Sequence, residues 1–511
     1  MNKGHLMMTL TLTLIGASVA WAQSDQNQPP APAPVPAFGQ ENPAPEVSEN
    51  PPISAIDQPG LEPHAAPESF LLPGLHFSES ADSNAANELG QSPVSTVTRA
   101  LGSLTLQKLW RSYDVAMDYI GGVDYGNQAG VGLEQIQQFD MDNRINWKRG
   151  QLAVRDSFSY LPEGTFGFGA YGGGGAYNSG LGSMGAGLLG GAAFGGQTSS
   201  FTGGNGVSVG QAPRLTNLGL ADIVENLTPK SSVTLSAGYG LVHFYGDFNE
   251  TFVGQTVPVS VAFVGSSEIT SQVAYDRILN PKDQVALSYG YQGFDFSVAG
   301  TAFHSNVIQA MYGHRVSGRM DLLISAGPQF TKINQQVCSV DGVPFSLCQQ
   351  EGGKTSPFGA TKIGAAGRVS LLYKFPRTGL SLSYQRYNTN GSGLFAGAET
   401  DTASLDASRP LSRVWDLFTD LGYSKNTQLQ LAGSSVNASS FTLGYAGAGL
   451  HRQFGRNLRG FVSYQFNELG FNTSCPLSAE GSTSTGPCSH ISQRHVGSIG
   501  LDWTPRPIRL D

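Results

Sequence analysis

The residues in this chain with the chemistry to act on a solute are charged side chains that recur at even spacings inside alternating segments. They are Asp114, Asp118, Asp140, Asp142, Arg144, Arg155, Glu268, Asp276, Asp321, Lys362, Arg368, Asp416, Asp420, Arg459 and Arg494. In an extended strand every second side chain points to one face, so these groups share a face with small polar neighbours. Acids and bases facing one another across water set a transverse field, and the acidic excess leans toward cations. The same charges could instead pair across strands and brace the interior. The sequence leaves both roles open. Asp156 and Asp222 fall on the opposite, outward face by simple alternation, which marks bulges or strand ends.

Other chemistry finds little support. His243, His304, His314, His451 and His495 lie in or near alternating segments without ligand spacing, and no catalytic Ser/His/Asp grouping stands out. No catalytic residue, metal site or cofactor is therefore expected, and the chain does not read as an enzyme. Gly167 to Gly172 matches G-x-G-x-x-G, and Gly206-Val207-Ser208-Val209-Gly210 matches G-x-S-x-G. Both lack the strand-to-helix context that gives those motifs their function. With 66 glycines in 511 residues, chance matches are expected. The four cysteines form two local pairs, Cys338 with Cys348 and Cys475 with Cys488. In an exported chain they suggest two loop-closing disulfides.

Composition narrows the class. Charged residues make up 13% and aromatics 10%. A mean hydropathy of −0.15 excludes a bundle of membrane helices. The net charge of −8 comes with no basic stripe, so no nucleic-acid partner is expected. Residues 1–22 read as a signal peptide: Lys3 and His5, an apolar run from Leu6 to Ala20, and an Ala20-Trp21-Ala22 cleavage site. Residues 23–73 are rich in Pro and Ala and too poor in large apolar groups to fold, so they read as a disordered linker. No later stretch reaches the length of a transmembrane helix.

The elements that must position the charges are strands. Val285, Leu287, Tyr289 and Tyr291 alternate with Gln284, Ala286, Ser288, Gly290 and Gln292. Val233 to Leu241 behaves alike, and so do Leu458, Val462, Tyr464 and Phe466, although Phe461 interrupts the polar face there. Short connections carrying Pro or Gly with a basic residue, such as Asn280-Pro281-Lys282-Asp283 and Phe454-Gly455-Arg456-Asn457, alternate with long Gly/Ser/Asn-rich ones. The pattern predicts eighteen antiparallel strands: near 75–83, 97–110, 113–125, 133–148, 150–162, 213–228, 231–246, 265–280, 283–298, 302–316, 318–333, 359–375, 379–390, 399–411, 412–424, 439–454, 457–471 and 490–504. Sixteen is the alternative if the first two fail. An even count puts both ends on the short-turn side. The longest loop, 163–213, is Gly-rich and would either fold inward or stay at the surface. Residues 505–511 form a short tail.

Taken as a whole, residues 75–504 resemble porin-like bacterial outer-membrane β-barrels, in architecture and not in any diagnostic motif. The final strand, ending near Trp503, is similar to the aromatic-ended terminal strand of such barrels, although eight residues follow the Trp. The resemblance implies an all-β transmembrane barrel with periplasmic termini, outer-membrane lipid and the barrel insertion machinery as partners, and small polar solutes or ions as cargo. It is compatible with a homo-oligomer. It implies a passive channel; an occluded barrel presenting disulfide-braced loops is the alternative, and an envelope enzyme or exporter is a further one.

Overall fold

The computed structural model describes residues 69–83, 94–127, 133–161, 214–245, 247–252, 255–260, 265–296, 300–338, 354–375, 378–391, 396–429, 440–472 and 489–510. The first strands are β1 (Phe70–Asp82), β2 (Ser95–Leu109), β3 (Tyr113–Gly126), β4 (Leu133–Trp147), β5 (Gly150–Leu161), β6 (Arg214–Thr228) and β7 (Ser231–Phe244). A small hairpin follows, β8 (Asp247–Phe252) with β9 (Gln255–Ser260). Next come β10 (Ser266–Asn280), β11 (Asp283–Phe296), β12 (Thr301–Ser317), β13 (Met320–Cys338), β14 (Thr355–Lys374) and β15 (Gly379–Thr389). The chain ends with β16 (Ala398–Pro410), β17 (Trp415–Gln428), β18 (Ser440–Phe454), β19 (Leu458–Asn472), β20 (Ser489–Trp503) and the two-residue β21 (Ile508–Arg509).

Every wall strand pairs antiparallel with its sequence neighbour, and β7 pairs with β10 past the hairpin. The sheet closes when β20 returns to β1, in register from Leu75↔Trp503 to Asp82↔Val496. The result is a closed barrel of eighteen strands. The sixteen-strand alternative is excluded, because β1 and β2 are paired along their whole length inside the wall. All eighteen expected strands are present. The hairpin β8–β9 was not foreseen. The tail is not free: Ile508 and Arg509 pair with Leu71 and Phe70, and Lys108 Nζ donates to the carbonyl of Leu510 at 3.1 Å.

Turn chemistry explains one rim. Asn280 Oδ1 accepts from the backbone N–H groups of Lys282 and Asp283 at 2.8 and 2.9 Å, which closes the β10–β11 turn. Gly455, at φ +82°, supplies the left-handed residue between β18 and β19. Both ends of the barrel lie on this short-turn rim.

Alternation explains the two faces. On β11, Leu287 is 61% exposed and its neighbour Ser288 is buried. On β7, Leu235, Tyr239 and Leu241 face out while Thr234, Ser236 and Val242 face in. Large apolar residues stay exposed all around the outer face, among them Phe77, Ile269, Ile363, Val462 and Ile499. So continuous an apolar surface is not stable against water and calls for a membrane around it. Among the described residues, no helix is long and apolar enough to cross a membrane.

The signal peptide, the Pro-rich linker, the loop 163–213 and both glycine motifs fall outside the described residues. The two cysteine pairs do as well: only the backbone of Cys338, the last residue of β13, is described.

Candidate functional site

The inner wall is where charge collects. Its densest part spans β2 to β6. Arg144 Nη2 donates to Asp142 Oδ2 at 2.7 Å, Arg155 Nε lies 3.7 Å from the same oxygen, and Arg155 Nη1 donates to Asp222 Oδ1 at 2.5 Å. This ladder follows from register, since Asp142 lies opposite Arg155 across β4–β5. Beside it Asp118 accepts from Thr105 Oγ1 at 2.8 Å, and Asp140 accepts from Ser157 Oγ at 2.6 Å. Asp114, near the short-turn rim, accepts from Asn146 Nδ2 at 3.1 Å.

The remaining sequence-predicted residues are spread around the wall. Glu268 and Asp276 are buried on β10, and Gln292 Nε2 donates to Glu268 Oε1 at 2.8 Å. Asp420 is buried on β17, directly opposite Asp406 of β16. Arg459 Nε lies 3.4 Å from Asp502 Oδ2. Arg494 Nη2 donates to Asp82 Oδ2 at 2.5 Å across the closing β1–β20 boundary. Arg368 sits half-buried on β14. Asp321, paired with Arg315 at 3.3 Å, and the exposed Asp416 lie at the short-turn rim and do not reach the interior charges. Lys362 is bound to Glu399 at 2.9 Å.

Asp222 overturns its expected orientation. It is 4% exposed and faces inward with Leu218 and Leu220. Simple alternation put Asp222 on the outward face, whereas the register of β6 buries it on the same parity as these two leucines. Asp156 does lie on the outer parity of β5, where Asn217 Nδ2 donates to its Oδ1 at 3.2 Å.

Several interior groups were not anticipated. Arg99 makes a two-pronged bond to Asp124, at 2.6 and 2.5 Å. His76 Nδ1 lies 2.6 Å from Asp502 Oδ1, and its Nε2 lies 3.1 Å from Ser78 Oγ. That is the order of a carboxylate–imidazole–hydroxyl relay. Its members are buried, however, and Phe461 stacks on the imidazole at 5.4 Å and fills the space over Gly500. The hydroxyl has no open face for a substrate, and the group braces the barrel closure. Its signal, Ser78 and His76 two residues apart with Asp502 far along the chain, appears only once β1 meets β20. Among the described residues no cluster fit to hold a metal ion occurs.

The interior is not polar throughout. Leu218, Leu220, Val242, Phe244, Phe294, Phe296, Phe303 and Ile333 form one buried cluster on the inner faces of β6, β7 and β11–β13, on the side of the long loops. Phe294 and Phe303 have ring centroids 4.8 Å apart. The expected polar lumen therefore carries an apolar sector. Near it the end of β15 turns inward, and Tyr387, Asn388, Thr389, Asn390 and Gly391 are all buried.

A closed antiparallel sheet with an apolar outside and ion pairs inside defines a porin-like β-barrel. No protein-family model matches the chain, and no curated protein does. Among solved structures the chain is similar to the closed form of the ferric-catecholate import receptor Fiu from E. coli, at 7% identity and a TM-score of 0.41, over 84% of this chain and 81% of that one. It is also similar to OccK2 (OpdF) of Pseudomonas aeruginosa, at 10% identity and 0.38, over 86% and 98%. Acinetobacter baumannii OccAB3 matches at 8% identity and 0.36, over 87% and 100%. These are distant likenesses in the course of the chain.

Proposed function

We propose that the protein is an outer-membrane channel through which small polar solutes or ions diffuse passively, with both termini in the periplasm and the long connections outside the cell. The observation that carries this reading is the ion-pair ladder Arg144–Asp142–Arg155–Asp222 inside a barrel whose outer face is apolar. Charges of this kind are stable at membrane depth only around a hydrated interior or in pairs, and they give a pore its ion preference. Outer-membrane lipid and the barrel insertion machinery are the partners this reading requires. Purified protein in a planar bilayer should give discrete single-channel steps. Their absence would overturn the proposal.

A second reading has its own support. The inward β15 segment from Tyr387 to Gly391 fills part of the interior. A barrel occluded there, presenting loops braced by Cys338–Cys348 and Cys475–Cys488, would serve surface binding instead. It would be inserted in the bilayer yet non-conducting.

A further inference from the structure

The short-turn rim carries basic residues that conduction through the lumen does not use. Two turns hold a group of them: Arg409 and Arg413 where β16 passes into β17, and Arg452 and Arg456 where β18 passes into β19. All four are exposed, and none is ion-paired among the described residues. At another turn of the same rim the basic side chain is answered, as Arg315 is by Asp321 at 3.3 Å.

Local structure sets these turns side by side. Ser412 Oγ accepts from the backbone N–H groups of Val414 and Trp415 at 3.3 and 3.2 Å, which shapes the first turn. Gly455, at φ +82°, makes the second and precedes Arg456. The backbone N–H of Gln453 donates to the carbonyl of Val414 at 2.9 Å and ties one turn to the other.

Parity puts the cations on the membrane side. Arg452 shares the outward face of β18 with the exposed Leu450 and Phe454, and it lies opposite Trp415 of β17. Its Cζ is 5.3 Å from the ring centroid of Trp415 and 5.0 Å from that of Phe454. A cation–π contact occupies no hydrogen-bond donor, so the planar fork of the guanidinium is left for an anion. Arg409 is outward as well, opposite Leu417. Residues 409–416 and 452–458 contain one acid, Asp416, on the inward face opposite His451. Four cations less that one acid leave an excess of three positive charges.

The outer face is layered towards this rim. Leu417 and Leu450 come first, then Trp415 and Phe454, then the arginines, with the exposed Leu411 and Val414 among them. Acyl chains, interface and headgroups follow one another in the same order in a bilayer leaflet. Unanswered positive charge at headgroup depth selects an anionic lipid over a zwitterionic one.

We propose that the paired β16–β17 and β18–β19 turns form a binding site for the phosphate headgroup of an anionic phospholipid, with Arg452 as its anchor. The site requires a barrel inserted in a membrane and is independent of what passes through the lumen.

The test takes full-length protein in micelles that contain equal amounts of phosphatidylglycerol and phosphatidylcholine, and counts the lipids it retains by native mass spectrometry. The parent should retain phosphatidylglycerol preferentially. Arg413→Gln with Arg456→Gln should cut that preference about twentyfold, at about fivefold for each arginine near a membrane surface. Arg452→Lys keeps the charge and loses the planar contact, and should cut it about fivefold. Lys282→Gln with Arg319→Gln, an equal loss of charge elsewhere on the rim, should leave it unchanged. No preference in the parent, an unchanged preference in the site variants, or an equal loss in the Lys282 and Arg319 pair overturns the site. Displacement of phosphatidylglycerol by millimolar inorganic phosphate would mark a plain phosphate site and overturns it too.

Discussion

Arg155 of β5 places its Nη1 2.5 Å from Oδ1 of Asp222 on β6, while its Nε faces Asp142 at 3.7 Å. One guanidinium serves two carboxylates on the strands to either side, Asp222 buried and Asp142 partly so. Arg155→Ala would leave both acids inside the barrel without their shared counter-charge. Breaking a buried ion pair from one side costs about 3–5 kcal/mol. Urea unfolding in lipid vesicles should show a loss of that size, and the variant pore should favour cations more than the parent.

Lipid contact can be read from one position. Leu287 lies mid-strand on β11 and is 61% exposed. Leu287→Arg should destabilise the barrel in vesicles by about 2–4 kcal/mol if that face meets hydrocarbon. The same equilibrium-unfolding measurement on a barrel surrounded by water would show almost no change.

Asp406 and Asp420 stand opposite each other across β16–β17. Neutralising both, as Asp406→Asn with Asp420→Asn, should shift the zero-current potential in a salt gradient toward anions. The shift should shrink at 1 M salt, where the screening length falls to about 3 Å. A shift unaffected by salt would mean that the change reshaped the wall and not its field.

Gly397 holds φ at +94°, and an added Cβ would lie 2.2 Å from Cε1 of Phe303. Gly397→Ala therefore faces both a left-handed backbone and an overlap with a buried ring. A loss of about 2 kcal/mol or more is expected. The temperature at which folded protein loses its compact electrophoretic mobility should fall accordingly, while a control change on an outward parity, Ala365→Ser, should leave it in place.

The wall was legible in the sequence because lipid and lumen impose a period of two. β11 is the clear case: Leu287 and Tyr289 out, Ser288 and Gln292 in. The rule failed where the interior itself is apolar. Asp222 was expected on the outward face, yet it is buried on the inner face beside Leu218 and Leu220. Phe461, expected as an apolar residue on the polar face, does sit on that face, packed inside on His76. Partners such as Arg99 with Asp124, or His76 with Asp502, depend on which strands become neighbours and at what register, which alternation within one strand does not encode. That β14 and β15 pair only from Gly367↔Arg386 to Lys374↔Gly379 was hidden for the same reason: both strands alternate normally, and only their pairing differs.

The contact between His76 and Asp502 joins residues 426 positions apart in the chain. That separation dictates the order of assembly. Hairpins can form one after another as the chain emerges, each closing a short loop. The ring must wait for its last strand, and ordering so long a span is the slowest kind of contact to gain. Until β20 arrives, β1 presents a bare edge. A chain ending before Ser489 should therefore remain an open sheet, prone to capture by chaperones or proteases, however sound its other strands are.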